Sequence, residues 1–229
     1  MDLGLEGKTA IVTGGSLGIG TAVALGLARE GCDVAINYRR HDKEAKEVVG
    51  QIEEMGRRGL AVKADVSSFQ DAENMVKTVV EKLGRLDIMV CNAGINWDGV
   101  IWKMTEQQFD TVINVNLKGY FNYNRAAAVV FKDQKCGKIV NISSINGMRG
   151  KFAQTNYAAS KGGEIAMSKT LAKELGKFNV NVNVVAPGMV MTDMARSIPQ
   201  EFLVTAMDET VVGRFATPED CASLVAFLC

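Results

Sequence analysis

The sequence contains one histidine among 229 residues, and this scarcity excludes several kinds of catalytic site. A zinc site built from imidazole ligands needs several histidines, and a Ser-His-Asp triad needs one beside its nucleophile. His41 lies instead in the polar stretch 39–43, so we interpret it as an exposed loop residue. We therefore predict no metal site and no such triad.

Cysteine pairs, secretion signals and long apolar runs are also absent. The five cysteines are odd in number and widely spread, without a Cys-x-x-Cys pair, as is typical of a reducing compartment. The first residues show no basic segment followed by an apolar one, and no run reaches the roughly 18 apolar residues of a membrane helix. We expect a cytoplasmic protein that does not enter a membrane.

No excess of charge points to a nucleic-acid partner, because 26 basic residues balance 26 acidic ones. The apolar content of 47% is ordinary for a globular protein and is sufficient for one large hydrophobic core. No linker, low-complexity tract or fixed-period repeat divides the chain. We therefore expect residues 1–229 to form one domain.

Short apolar runs alternate with longer segments of helical period. The runs are rich in Val, Ile and Ala and mostly apolar on both faces, as in a parallel sheet covered by helices on each side. The predicted strands are 9–13, 33–38, 60–64, 86–91, 138–142 and 180–186, and the predicted helices are 19–30, 43–55, 69–83, 105–131 and 156–177. This order predicts repeated βαβ units and a doubly wound α/β fold of the Rossmann type.

A glycine-rich turn follows the first predicted strand and precedes the first predicted helix. Glycines there allow a tight bend and close approach of a pyrophosphate, while the helix N-terminus supplies free N–H groups. Glycine turns also follow strands in many other proteins, so the position of this one carries the prediction. The residues expected to contact a dinucleotide are Gly14, Ser16, Leu17, Gly18, Ile19 and Gly20.

The spacing of Gly14, Gly18 and Gly20 is Gly-x-x-x-Gly-x-Gly, and with this motif the sequence resembles the short-chain dehydrogenase/reductase family over its whole length. Tyr157 and Lys161 follow the fifth predicted strand and match the family's Tyr-x-x-x-Lys pair. A tyrosine and a lysine so spaced also occur on ordinary core helices, and their position after the strand decides between the two interpretations. The resemblance implies an NAD(P)-dependent oxidoreductase.

Ser144 and Asn116 match the other two members of the family's catalytic set. The resemblance implies that Tyr157 and Ser144 contact the substrate carbonyl, that Tyr157 donates the proton, and that Lys161 assists it and holds the ribose. It also implies that Asn116 binds a water molecule by opening its helix locally. These residue types suit carbonyl reduction, because hydride addition places negative charge on an oxygen that needs stabilisation and a proton.

The end of the second predicted strand indicates which nicotinamide cofactor binds. Tyr38 stands where NAD-dependent relatives carry an aspartate, and Arg39 and Arg40 follow it. A guanidinium pairs with a 2′-phosphate that a carboxylate would repel, so we predict NADP(H). The alternative is that both arginines are only solvated surface residues. Leu17 stands where NADP-dependent relatives often carry a basic residue. Because leucine cannot pair with a phosphate, one contact that would favour NADP(H) is missing here.

Further segments match positions that contact the cofactor in the family. Asp65 and Val66 match the adenine site, although Asp65 could instead be a helix N-cap. The other matches are Asn92, Ala93 and Gly94 for the floor of the site, and Pro187, Gly188, Val190 and Thr192 for the carboxamide. Residues from about 190 to 212 match the family's substrate lid.

Several stretches resemble the β-ketoacyl reductases within this family, among them 92–95, 104–110, 154–157 and 212–215. That resemblance implies reduction of a 3-oxoacyl thioester, carried by acyl-carrier protein or CoA, as in fatty acid biosynthesis. Lys135 and Lys177 could face an acidic carrier protein or could simply be solvated. The alternatives are an alcohol or sugar dehydrogenase, and a nucleotide-binding module without activity, against which the complete catalytic set argues.

Relatives in this family continue beyond an apolar helix like 218–229 with another parallel strand. We therefore expect the last strand of the sheet to be missing from this sequence, which leaves a sheet edge exposed. Family members are typically homotetramers whose interfaces use that strand and the long helices. The resemblance implies a homotetramer here, with an interface that the missing strand alters.

Overall fold

The predicted alternation of strands and helices is present in the computed structural model, which describes residues 2–192, 195 and 200–229. Within these residues one parallel sheet contains β1 (Thr9–Val12), β2 (Asp33–Tyr38), β3 (Gly59–Lys63), β4 (Ile88–Cys91), β5 (Gly137–Ile142) and β6 (Val180–Val185). The strand order is β3-β2-β1-β4-β5-β6, so the direction of winding reverses between β1 and β4. The Rossmann-type α/β fold is confirmed.

Helices cover both faces of this sheet. Their bounds are α1 (Gly18–Arg29), α2 (Asp42–Glu54), α3 (Phe69–Leu83), α4 (Glu106–Val112), α5 (Gly119–Gln134), α6 (Asn146–Arg149), α7 (Thr155–Leu175), α8 (Gln200–Asp208) and α9 (Pro218–Leu228). A π-helical segment, Ile113–Lys118, joins α4 to α5, and a 3₁₀ turn, Gly176–Phe178, follows α7. The helix predicted over 105–131 is therefore continuous but not regular, because its middle widens to the i→i+5 bonding of a π-helix.

Alternate side chains of the strands pack into two apolar cores, one on each face of the sheet. The first core joins strand residues to α1, α2 and α9, and includes Val12, Ile36, Val23, Val48 and Val225. The second joins the intervening strand residues to α3 and α5, and includes Ile11, Met89, Val76, Tyr123 and Phe131. Because the central strands are apolar on both faces, the sheet is held from both sides and its carboxyl edge is fixed.

Side-chain caps set the starts of three described helices, α3, α4 and α9, and at α4 the cap is Thr105 in a capping box with Gln108. Ser68 accepts a hydrogen bond from the backbone N–H of Asp71 and so caps α3. The interpretation of Asp65 as the cap of that helix is therefore wrong. At α9, Thr217 and Asp220 form a reciprocal capping box, in which each side chain accepts from the other residue's backbone N–H.

The remaining sequence expectations concern membrane helices, the cysteines and the lid. No helix among the described residues is both long and apolar enough to cross a membrane. The five cysteines are free thiols. Helix α8 lies in the segment expected to be the lid, but residues 193, 194 and 196–199 of that segment lie outside the described residues. The lid stays a prediction.

Candidate active site

The glycine turn lies at the carboxyl end of β1, next to the reversal of strand order. Gly14 and Gly18 have φ angles of 64° and 55°, in the left-handed region that favours glycine. A Cβ on Gly20 would lie 2.1 Å from the carbonyl oxygen of Gly14, so only glycine lets α1 start directly against the turn. Open backbone N–H groups at a helix start are a site for an anion such as a pyrophosphate.

Two asparagines hold this turn in place. The side chain of Asn37, which is buried at the end of β2, accepts from the N–H of Gly14 at 3.3 Å and donates to the carbonyl of Ala64 at 2.7 Å. Asn92 donates to the carbonyl of Thr13 at 3.0 Å. The sequence prediction missed Asn37, although a polar residue in an otherwise apolar strand is a signal for such a role.

A cleft of about 470 Å³ opens beside the turn. It is lined by most residues predicted to bind the cofactor, namely Gly14, Ser16, Leu17, Gly18, Ile19, Tyr38, Arg39, Arg40, Asp65, Val66, Asn92, Ala93, Gly94 and Thr192. Gly20 packs beneath the turn. Five other residues predicted to bind the cofactor are not part of the cleft wall, namely Tyr157, Lys161, Pro187, Gly188 and Val190. A cleft of this size with a glycine turn in its wall fits a dinucleotide.

The predicted carboxamide segment is fixed by its backbone beside the cleft. The N–H of Ile145 donates to the carbonyl of Pro187 at 2.9 Å, which ties the segment to the end of β5. Val190 forms an isolated parallel bridge with Ala216. A Cβ on Gly18 would lie 3.2 Å from the Cγ2 of Thr192, so residue 192 of this segment lies against the glycine turn.

The outer end of the cleft is charged. The Arg39 guanidinium lies 3.2 Å from the carboxylate of Asp65, and about half of the Arg39 side chain is exposed. Partial burial opposes ionisation of Asp65, but hydrogen bonds from Ser67 and Arg39 lower the pKa of this carboxyl. The hydroxyl of Tyr38 donates to Asp42 at 3.3 Å. The predicted phosphate-binding arginine thus lies at the cleft, paired with the residue predicted to meet the adenine.

Helix α7 carries the predicted Tyr–Lys pair. Tyr157 is partly exposed, whereas Lys161 is buried with its Nζ atom 5.8 Å from the centroid of the tyrosine ring. The Lys161 ammonium donates to the carbonyl of Ile142 at 2.9 Å, to Glu164 at 2.8 Å and to the hydroxyl of Tyr120 at 3.3 Å. In this pair the Lys161 ammonium therefore faces the protein interior, and the Tyr157 side chain is accessible from the outside.

The segment that contains Ser144 packs directly on Lys161. Ser143 donates from its hydroxyl to the backbone carbonyl of Lys161 at 2.8 Å. A Cβ on Gly147 would lie 2.6 Å from the carbonyl carbon of Lys161, so α6 and α7 touch through backbone atoms. The Ser144 hydroxyl oxygen accepts from the N–H of Asn146 at 3.2 Å, which leaves its proton for donation.

Asn116 lies within the π-helical segment and is fully buried. Its amide exchanges two hydrogen bonds of 2.9 Å with the backbone of Ile95 and donates to the hydroxyl of Ser160 at 3.2 Å. A Cβ on Gly94 would lie 3.4 Å from the Asn116 oxygen and 3.7 Å from the Lys161 nitrogen. Gly94 lines the cleft, so the structure brings the cleft, Asn116 and Lys161 together. The water-binding role of Asn116 stays a prediction.

Sequence reasoning missed three residues whose side chains hydrogen-bond to Lys161, namely Ser143, Tyr120 and Glu164. Glu164 could have been found, because it stands three residues after Lys161 on the same face of the helix. Tyr120 and Ser143 belong to other elements, and their contacts depend on how those elements pack.

A Rossmann sheet with a dinucleotide cradle beside a tyrosine–lysine pair defines a nicotinamide-dependent oxidoreductase. The family model described as short chain dehydrogenase matches residues 8–202. The chain belongs to the short-chain dehydrogenase/reductase family, as the glycine spacing indicated. It is therefore an oxidoreductase that acts on CH–OH or C=O groups with a nicotinamide cofactor.

Curated relatives are similar over nearly the whole chain. The 3-oxoacyl-[acyl-carrier-protein] reductase FabG of Staphylococcus aureus (strain N315) is 40% identical over 221 residues, which cover 96% of this chain and 90% of that protein. The protein of the same name from Thermotoga maritima is 41% identical over 232 residues, covering 98% and 91%. The one from Staphylococcus epidermidis (strain ATCC 12228) is 39% identical over 221 residues, covering 96% and 91%.

Proposed function

We propose that this protein reduces 3-oxoacyl thioesters to 3-hydroxyacyl thioesters with NADPH, with acyl-carrier protein or CoA as the carrier. The observation that carries the proposal is the position of Tyr157, which is open on one side and lies 5.8 Å from a buried ammonium on the other. The names and similarity of the curated relatives support this class of substrate.

The residues divide the work as follows. The glycine turn would hold the pyrophosphate, residues 92–94 the floor of the site, and the backbone of 187–192 the carboxamide. The bound cofactor supplies the hydride that adds to the carbonyl carbon. Tyr157 donates a proton to the carbonyl oxygen, Ser144 donates a hydrogen bond to it, and the Lys161 charge favours the phenolate that the tyrosine leaves behind. Asn116 fixes the loop after β4 beside them.

Tyr157→Phe tests the proton donor. We expect it to lower the kcat for acetoacetyl-CoA reduction by about 10²–10⁴-fold, the usual contribution of a general acid, while NADPH binding measured by fluorescence is unchanged. Tyr123→Phe is the matched control, because that hydroxyl lies in the core and donates to the sulfur of Met75. Unchanged turnover in Tyr157→Phe would refute the mechanism.

A substrate panel tests the reaction itself. Initial rates with 3-oxoacyl thioesters are compared with rates for oxidation of secondary alcohols and sugars, using NADPH, NADP⁺, NADH and NAD⁺. Turnover of alcohols or sugars without reduction of any 3-oxoacyl thioester would favour the alternative, a short-chain alcohol or sugar dehydrogenase.

Arg39→Ala tests the preference for NADPH. The half-exposed guanidinium is free to move from Asp65 to a 2′-phosphate, and a hydrogen bond between charged groups is worth about 1.5–3 kcal/mol. We expect the Kd for NADPH to rise by at least about tenfold and the Kd for NADH to change little. Arg125→Ala, which removes a surface pair with Glu73 on α3, is the control. Equal effects on the two cofactors would contradict the assignment.

Three further parts belong to the proposal, namely the oligomeric state, the location and the lid. We extend the family's homotetramer and a cytoplasmic location to this protein. Phe69 on α3 and Phe121 on α5 are exposed, with ring centroids 6.5 Å apart and planes tilted by 31°, and this apolar pair supports an oligomer interface. The lid over 190–212 completes the proposal. Sedimentation at micromolar concentration checks the tetramer.

A further inference from the structure

Lys161 has a buried acidic partner, Glu164, on the interior side of this site. Glu164 lies three residues after Lys161 on α7, and its carboxylate oxygen Oε1 accepts from the ammonium at 2.8 Å. The Glu164 side chain is fully buried, and its second oxygen, Oε2, has no hydrogen-bond partner within the part of the chain that the structure describes. An acid in such a place costs stability, because burial of a carboxylate with one donor leaves it poorly solvated.

The three donors of the Lys161 ammonium are all directed inward. They go to the carbonyl of Ile142, to Glu164 and, at the longest distance of 3.3 Å, to the hydroxyl of Tyr120. Tyr120 itself donates to Ile142 at 2.9 Å, so it does not need the lysine. The donor to Tyr120 is therefore the one that can turn toward a cofactor ribose, while Ile142 and Glu164 keep the nitrogen in place.

We propose that Glu164 is a positioning residue that holds the Lys161 ammonium and, through its own charge, controls how strongly that ammonium assists Tyr157. This inference rests on the proposed reduction, and it adds a residue outside the predicted catalytic set. With a neutral carboxyl, the full charge of Lys161 acts on Tyr157 and on the cofactor. With a carboxylate, the pair has no net charge, and the lysine is held more firmly on the interior side.

The change of charge falls in the neutral to mildly alkaline range. Burial raises the pKa of Glu164 to about 8, and the Lys161 ammonium only partly opposes this effect. Two other titratable groups face the carboxyl, Cys91 from β4 and Tyr120 from α5. Burial raises the pKa of both, so they stay neutral while Glu164 titrates. Tyr157, one helical turn before Lys161, is the remaining titratable group near the pair in the described part of the chain.

The first measurement observes the carboxyl directly. Infrared difference spectra of the full chain between pH 6 and pH 9 should show a protonated carboxyl band that disappears with a midpoint near pH 8, as the pKa of Glu164 implies. The band should be missing in Glu164→Gln. If it is the same in both proteins, Glu164 does not titrate in this range and the proposal fails.

The second measurement compares pH profiles of kcat and KM for acetoacetyl-CoA reduction. Between pH 7 and pH 9 the wild-type kcat should fall about three- to tenfold more than that of Glu164→Gln, the effect of one unit charge across a protein interior. Glu164→Gln keeps an acceptor for Lys161, whereas Glu164→Leu removes it and should lower kcat at every pH. Glu174→Gln removes an exposed charge from the same helix and should change nothing. Identical profiles for wild type and Glu164→Gln would make Glu164 purely structural.

A third measurement separates this inference from the proposed function. NADPH affinity, measured by fluorescence without substrate, should weaken above pH 8 in the wild type but not in Glu164→Gln, because the carboxylate retains the lysine. If the wild type reduces no 3-oxoacyl thioester yet shows this difference, the proposed substrate is wrong and the role of Glu164 holds. If it reduces the thioester but shows no difference in binding or in kcat, the role of Glu164 is wrong.

Discussion

Helix α1 contains two glycines whose replacement by alanine should have opposite effects on stability. A Cβ on Gly26 would meet only the Cβ of Ala222 on α9, at 3.4 Å, which is an ordinary contact. A Cβ on Gly20 would lie 2.1 Å from the carbonyl oxygen of Gly14 and 2.6 Å from the side-chain nitrogen of Asn92. The Gly14 oxygen is a backbone atom, and the Asn92 nitrogen already donates hydrogen bonds to the carbonyls of Thr13 and Gly14 in the glycine turn.

The expected magnitudes follow from these contacts. Alanine in a helix interior is favoured over glycine by about 1 kcal/mol, so Gly26→Ala should be neutral or stabilising by up to that amount. At Gly20 the new methyl group must displace the turn by more than an ångström, and overpacking of this kind costs about 1–3 kcal/mol. The two variants should therefore differ in their free energy of unfolding by about 1–4 kcal/mol.

Urea unfolding followed by circular dichroism measures this difference, with equal m-values as the sign that both variants unfold from a similar native state. Binding of NADPH provides a second comparison, since only Gly20→Ala displaces the turn and should weaken it. Equal stability and equal binding in the two variants would refute the assignment of Gly20 as a position that only glycine can occupy.

Two more perturbations test charge and capping. The pKa of Glu164 rises from 4.5 to about 8 on folding, so the wild type should lose stability relative to Glu164→Gln as pH rises from about 4.5 to 8, by up to about 5 kcal/mol. Urea unfolding of both proteins at pH 5 and pH 9 checks the sign of this change. A difference in stability that is the same at both pH values would contradict it. Thr217→Ala removes the N-cap of α9 and should cost about 1 kcal/mol, whereas Ser223→Ala within that helix should cost less; equal losses in thermal unfolding would argue against the capping box.

The fold could be predicted from the sequence because its signals are local and repeated. The second predicted strand and the third predicted helix have the bounds found in the structure, Asp33–Tyr38 and Phe69–Leu83. The π-helical segment Ile113–Lys118 was not predicted, because hydrophobic period does not distinguish a single wider turn from an α-helical one.

The candidate site was predicted where residues match a motif and missed where contacts depend on packing. Spacing alone placed Tyr157 and Lys161 on one face of a helix and could also have pointed to Glu164, but it could not show that the Glu164 carboxylate is buried. The pairing of Arg39 with Asp65 joins the ends of two strands, and neither residue's neighbours in sequence indicate it. Membership of the family supplied roles, while the structure supplied the partners of the lysine.

The hydrogen bonds of Asn37 have a consequence for engineering. One buried amide links the glycine turn after β1 to the chain that leaves β3, across the strand between them. The turn is therefore shaped by the second strand as well as by its own glycines. A transplant of residues 13–20 alone into another parallel sheet should give a loop of variable shape, and the asparagine at the end of the neighbouring strand has to move with it.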